Sequence, residues 1–79
     1  MIQVVRVDTN YGDLLIRRPK SYLTYEEALA CVVEEATANE DTGSDWQEYR
    51  MPEDHIYAIS VVKPSGYGIK WHIFEEDTQ

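Results

Sequence analysis

The chain has 79 residues, with 15 Asp or Glu against 7 Lys or Arg, a formal charge of −8. That length gives a single domain, 1–79, with one modest core, and excludes a substrate cleft between two domains. A hydrophobic content of 43% with 11% aromatics excludes a disordered chain, while the acidity excludes direct binding to nucleic acid or anionic membranes, both of which recruit Lys and Arg.

Ile2 to Asp8 is rich in β-branched residues and reads as a strand. Asp8 to Asp13 is a turn cluster in which Asn10 and Gly12 can take positive φ. Leu14 to Arg18 reads as a second strand, stopped by Pro19, so a hairpin with a loop of about four to five residues is expected. Thr24-Tyr25-Glu26-Glu27 is a capping box, with Leu23 placed to staple onto Ala28. Behind it Tyr25, Leu29, Val32, Val33 and Ala36 fall on one helical stripe, predicting a helix from about Tyr25 to Ala38 that frays into Asn39.

Periodicity is lost from Glu40 to Asp54. Glu40 to Asp45 is a loop by composition, and Trp46 to Met51 fits either a short strand or one helical turn, limited by Pro52. His55 to Lys63 is a long strand pattern, Pro64 to Gly68 a turn, and Ile69 to Phe74 a final alternating strand. Residues 74–79 are expected to form a flexible acidic tail. The order is β-β-α-β-β, an α+β domain in which an antiparallel sheet carries one helix packed on one face. Apolar residues alternate onto both faces of the third strand: Ile56, Ala58 and Val62 on one, Tyr57, Ile59 and Val61 on the other. One helix cannot cover both, so either Trp46 to Met51 covers the remainder or that face is an interface.

No catalytic or metal constellation emerges. His55, His72 and Cys31 are the soft ligands, at spacings that match no metal motif, and counting back from the turn sets His72 opposite about Ser60 and away from His55. Cys31 lies mid-helix as a small, partly buried hydrophobe. Ser65-Gly66-Tyr67-Gly68 is a hairpin turn rather than a phosphate cradle, lacking a following helix. The expectation is a non-enzyme that needs no cofactor and no metal. A lone cysteine fits a reducing compartment, the N-terminus reads as a strand rather than a signal peptide, and no apolar run approaches a bilayer span; a cytoplasmic protein is expected. Arg17, Arg18 and Lys20, with Arg6, form the one basic cluster, read as charge blunting a strand edge, with a small positive patch as the alternative.

The acid is unevenly placed. Residues 1–23 balance at +2, whereas residues 31–54 carry Glu34, Glu35, Glu40, Asp41, Asp45, Glu48, Glu53 and Asp54 against Arg50 alone, a balance of −7. Trp46 and Tyr49 interleave with these carboxylates and are residue types that anchor interfaces. Those ten residues are the candidate partner-binding set, with Trp46 equally able to close the core beneath the loop. The expected partner is a basic protein surface, of the kind built to hold nucleic acid, and a homodimer through the apolar sheet face is the alternative.

Tyr22-Leu23-Thr24-Tyr25-Glu26-Glu27-Ala28-Leu29-Ala30 resembles the helix start of HicB-type antitoxins, which implies a hairpin preceding the helix and an antitoxin-like role. As a compact acidic domain without an active-site pattern, the chain is also similar in type to the phage anti-CRISPR proteins, which implies an inhibitor that blocks a nucleic-acid channel.

Overall fold

The computed structural model describes residues 1–75; the expected tail beyond them, 76–79, lies outside the described residues. Seven elements follow in order: β1 (Ile2–Asn10), β2 (Asp13–Ile16), β3 (Lys20–Tyr22), α1 (Tyr25–Asn39), β4 (Asp45–Arg50), β5 (Ile56–Val62) and β6 (Gly68–Glu75). The architecture is the expected α+β one: a single antiparallel sheet with the helix on one face. Strands run β2-β1-β6-β5-β4 across the sheet, and β3 shares the outer side of β1 with β2.

β1 is long because it serves two short partners in turn. Its far half pairs with β2, Asn10 opposite Asp13, and its near half with β3, Ile2 opposite Tyr22. Pro19 carries no N–H for the ladder, so one outer strand becomes two. The β1–β2 loop is tighter than its composition suggests. Only Tyr11 and Gly12 lie between the paired ends, both at positive φ (50° and 89°), as in the two-residue turns that match strand twist. Asn10 stays in the strand.

Trp46 to Arg50 resolves as strand, and the reason is the turn that follows. In Met51-Pro52-Glu53-Asp54-His55, Met51 N–H donates to His55 O at 2.9 Å and Asp54 N–H to Met51 O at 2.9 Å, with Asp54 at φ 65°. Lys63-Pro64-Ser65-Gly66-Tyr67 repeats the arrangement: Lys63 N–H donates to Tyr67 O, Gly66 N–H to Lys63 O, and Gly66 sits at φ 95°. Two proline-led turns of one kind therefore fold β4, β5 and β6 into a meander. β4 extends the sheet instead of covering its second face.

Facing α1 are Ile2 and Val4 of β1, Ile56, Ile59 and Val61 of β5, and Ile69, Trp71 and Ile73 of β6, all buried. From the helix, Ala28, Val32 and Ala36 are fully buried, with Tyr25 and Leu29 packed beside them. The buried line thus centres on the alanines, whose small side chains let the helix axis approach the sheet. Val33, expected on the stripe, lies 39% exposed beside it. Thr24 caps as expected, its hydroxyl accepting from Glu27 N–H at 3.2 Å, but Leu23 is 79% exposed and does not staple onto Ala28. The Tyr25 hydroxyl instead fastens the helix start, donating to Ile56 O at 2.8 Å while its ring packs on His55.

Three expectations about the last hairpin need correcting. Ile56 belongs with Ile59 and Val61 in the core rather than with Ala58 and Val62. The cause is a β-bulge: Tyr49 faces Ala58 but Arg50 faces Ile56, so Tyr57 is the extra residue and alternation reverses there. His72 lies opposite Ala58, not Ser60, because the ladder closes on Val62 and Gly68. Phe74 and Glu75 continue β6, opposite Gln3 and Ile2, and are not tail.

The sheet face away from α1 carries Val5, Val7, Tyr49, Tyr57, Val62, His72 and Phe74, with Leu14 and Ile16 at its β2 end. Leu14 and Ile16 are 68% and 67% exposed. Among the described residues, no element covers this face.

Candidate binding surfaces

The acidic residues divide among three places. Glu34 and Glu35 lie on α1 near the β3 side, where Glu35 stands 3.6 Å from Arg6 and 3.8 Å from Lys20. Glu40 and Asp41 follow the helix. The Asp41 N–H bonds the Ser44 hydroxyl at 2.9 Å, and the Asp41 carboxylate lies 3.6 Å from Lys63. Asp45, Trp46, Glu48 and Tyr49 occupy β4, the outermost strand on that side of the sheet, with Glu53 and Asp54 in its turn.

Strand alternation then splits the β4 set. Trp46 and Glu48 face the α1 side, opposite Val61 and Ile59; Asp45 and Tyr49 face the open side, opposite Val62 and Ala58. Trp46 is partly buried against the core, and its indole N–H donates to Glu48 Oε2 at 3.1 Å. Arg50 closes on Glu48 at 2.6 Å and on Asp54 at 3.1 Å. The hydrogen bond from Trp46, then that from Arg50, lowers the Glu48 pKa below the ordinary carboxylate range. The Tyr49 hydroxyl donates to Gln47 Oε1, and Lys70 Nζ sits 4.5 Å from the centre of its ring. Among the described residues Glu34, Glu40, Asp45 and Glu53 have no cation within ion-pairing distance. The sequence run of carboxylates is thus an acidic rim around β4 and its two flanking loops, with Glu34 and Glu35 set apart from it.

The opposite edge of the sheet holds what sequence reasoning treated lightly. Asp8, expected where the first strand meets the turn cluster, is 2% exposed within β1. Arg6 grips it at 2.8 and 3.1 Å, Arg17 at 3.2 Å, and the Tyr67 hydroxyl donates to the same carboxylate. Burial pushes the Asp8 pKa up, but these donors outweigh it and hold the group at about 2. Beside the cluster, Arg6, Arg17, Arg18, Lys20, Glu35 and Trp71 line a recess of about 130 Å³ between β1, β3 and α1. The signal was legible in principle: Ile2, Val4, Arg6 and Asp8 share one face of an alternating strand, so two charged side chains point toward a core.

Among the described residues no group of three or more His, Cys, Asp or Glu is placed to hold a metal ion. His55 ends the turn before β5 and His72 lies within β6, both half-buried, and burial, then Lys70, lowers the His72 pKa. Cys31 is half-buried. No helix among the described residues is long and apolar enough to cross a membrane. Comparison with family models, curated proteins and solved structures finds no match to this chain.

Proposed function

We propose that the protein is a non-catalytic binding module that seats its acidic β4 rim on a basic, nucleic-acid-binding surface of a partner protein, as a phage anti-CRISPR-type inhibitor would. The supporting observation is the separation of charge across the sheet. Arg6, Arg17, Arg18 and Lys20 gather at the β1–β3 edge, while Asp41, Asp45, Glu48, Glu53 and Asp54 ring the β4 edge. Such a dipolar module orients as it approaches a basic surface, raising the encounter rate more than the final affinity. β4 also presents an unpaired strand edge, which can accept an extended segment of the partner. The partly exposed rim of Trp46 supplies an anchor that loses little conformational freedom on binding.

The test is a triple variant, Asp41→Asn, Asp45→Asn and Glu48→Gln, against a control that removes the same charge elsewhere (Asp13→Asn, Glu26→Gln, Glu75→Gln). Capture of a partner from the source cell, and its release by added DNA or RNA, should fall at least tenfold for the first variant and little for the control. Equal loss in both, or capture unaffected by the triple change, overturns the reading. A second reading, a homo-oligomer (antitoxin-like or structural), rests on the uncovered apolar face with Leu14, Ile16 and Phe74 exposed on it. A dimer at micromolar concentration that Ile16→Lys converts to monomer would favour it.

A further inference from the structure

The recess at the basic edge is built in a way that surface charge alone does not require. We propose that it is a binding site for a single phosphate-type dianion, either free phosphate or the terminal group of a phosphate monoester. Four of the chain's seven cationic residues converge there, against a chain charge of −8. Two of them are held in place. The buried Asp8 carboxylate takes Nε and Nη2 of Arg6, fixing that guanidinium plane, and one bond from Nη2 of Arg17 tethers the second; Arg6 also lies over the Trp71 ring, 5.6 Å from its centre. Ordering these long side chains in advance removes an entropic cost that a ligand would otherwise meet on binding.

Glu35 marks the anion position. Its two carboxylate oxygens lie 3.6 Å from Arg6 Nη1 and 3.8 Å from Lys20 Nζ, too long for hydrogen bonds, so it spans the cations without satisfying them. Counting Asp8 and Glu35 against Arg6, Arg17, Arg18 and Lys20 leaves +2, the charge that a dianion neutralises. The volume, about 130 Å³, is well above the ~10–15 Å³ that one water needs, and Trp71 forms part of its wall. Guanidinium forks together with a lysine form the donor set that suits tetrahedral phosphate oxygens. A polyanion would have to cross the acidic remainder of the surface, so the site is suited to one terminal group.

The experiment is an amide and indole NMR titration at constant ionic strength with inorganic phosphate, with adenosine 5′-monophosphate, and with acetate. Saturable shifts are expected at Arg6, Arg17, Lys20 and Glu35, with acetate at least tenfold weaker. Glu35→Gln, which removes the competing carboxylate, should tighten phosphate about tenfold, whereas Arg18→Gln and Lys20→Gln should weaken it about tenfold without changing the fold by circular dichroism. A mononucleotide that binds more tightly than phosphate identifies a monoester as the ligand; equal affinity identifies free phosphate. Shifts that grow linearly without saturation, or a Glu35→Gln variant that binds no better, overturn the proposal. Arg18 and Lys20 lie outside the Asp8 cluster, so these variants report on binding rather than on folding.

Discussion

Asp8→Asn lowers the unfolding free energy by about 2–3 kcal/mol at pH 7, because it leaves Arg6 without its buried counter-charge. The figure lies below the roughly 3–5 kcal/mol of a fully buried pair, since Arg6 and Arg17 keep access to water. Its pH dependence distinguishes it from a packing defect. The carboxyl titrates near 3.8 in a free chain and at about 2 in the fold, so between these values the unfolded chain binds more protons. Stability therefore rises with pH across that window. The Asp8 contribution, on the order of 2 kcal/mol, is complete above about pH 5 and is lost as pH falls toward 2. Urea unfolding at pH 7, 5, 3 and 2 should show the wild-type and variant curves converging in acid. A constant gap over the whole range would show that the carboxylate's charge is not what the fold uses. The other carboxylates titrate in both proteins and cancel in the difference.

The same cluster shows why the sequence revealed the fold more readily than the site. Hydrophobic periodicity, the Thr24 cap and the proline-led turns are local signals, and each is matched by an element of the structure. Where local signals were thin, tertiary pairing decided. Lys20 to Tyr22 is too short to announce a strand and forms one only because β1 lies alongside, and Trp46 to Arg50 acquires its strand from β5. The bulge at Tyr57 reversed the faces of Ile56 and left no mark in composition.

Charge placement was readable along the chain but not in space. Glu34 and Glu35 are near neighbours of Glu40 in sequence, yet the helix carries Glu35 to the basic edge, opposite to β4. In β4 itself, period-two alternation sends Asp45 and Glu48 to opposite faces. Asp8 is the reverse case: its partners Arg17 and Tyr67 come from 9 and 59 residues away, a convergence that no spacing encodes.

Trp71→Ala should be among the most damaging truncations of this core. Trp71 is the largest fully buried side chain, facing α1 between Arg6 of β1 and Ile59 of β5. Removing a buried tryptophan costs about 3–5 kcal/mol in lost burial and residual cavity. A chain of this length has about 4–12 kcal/mol in all, so much of the variant population should be unfolded at 37 °C. Trp71→Phe separates volume from polarity. The indole N–H has no partner among the described residues, so phenylalanine sacrifices some packing but no hydrogen bond and removes an unsatisfied donor. A loss below about 1.5 kcal/mol is expected there, measured by urea unfolding with Trp46 as the remaining fluorophore. A Phe variant as unstable as the Ala variant would mean that the N–H is bonded in solution.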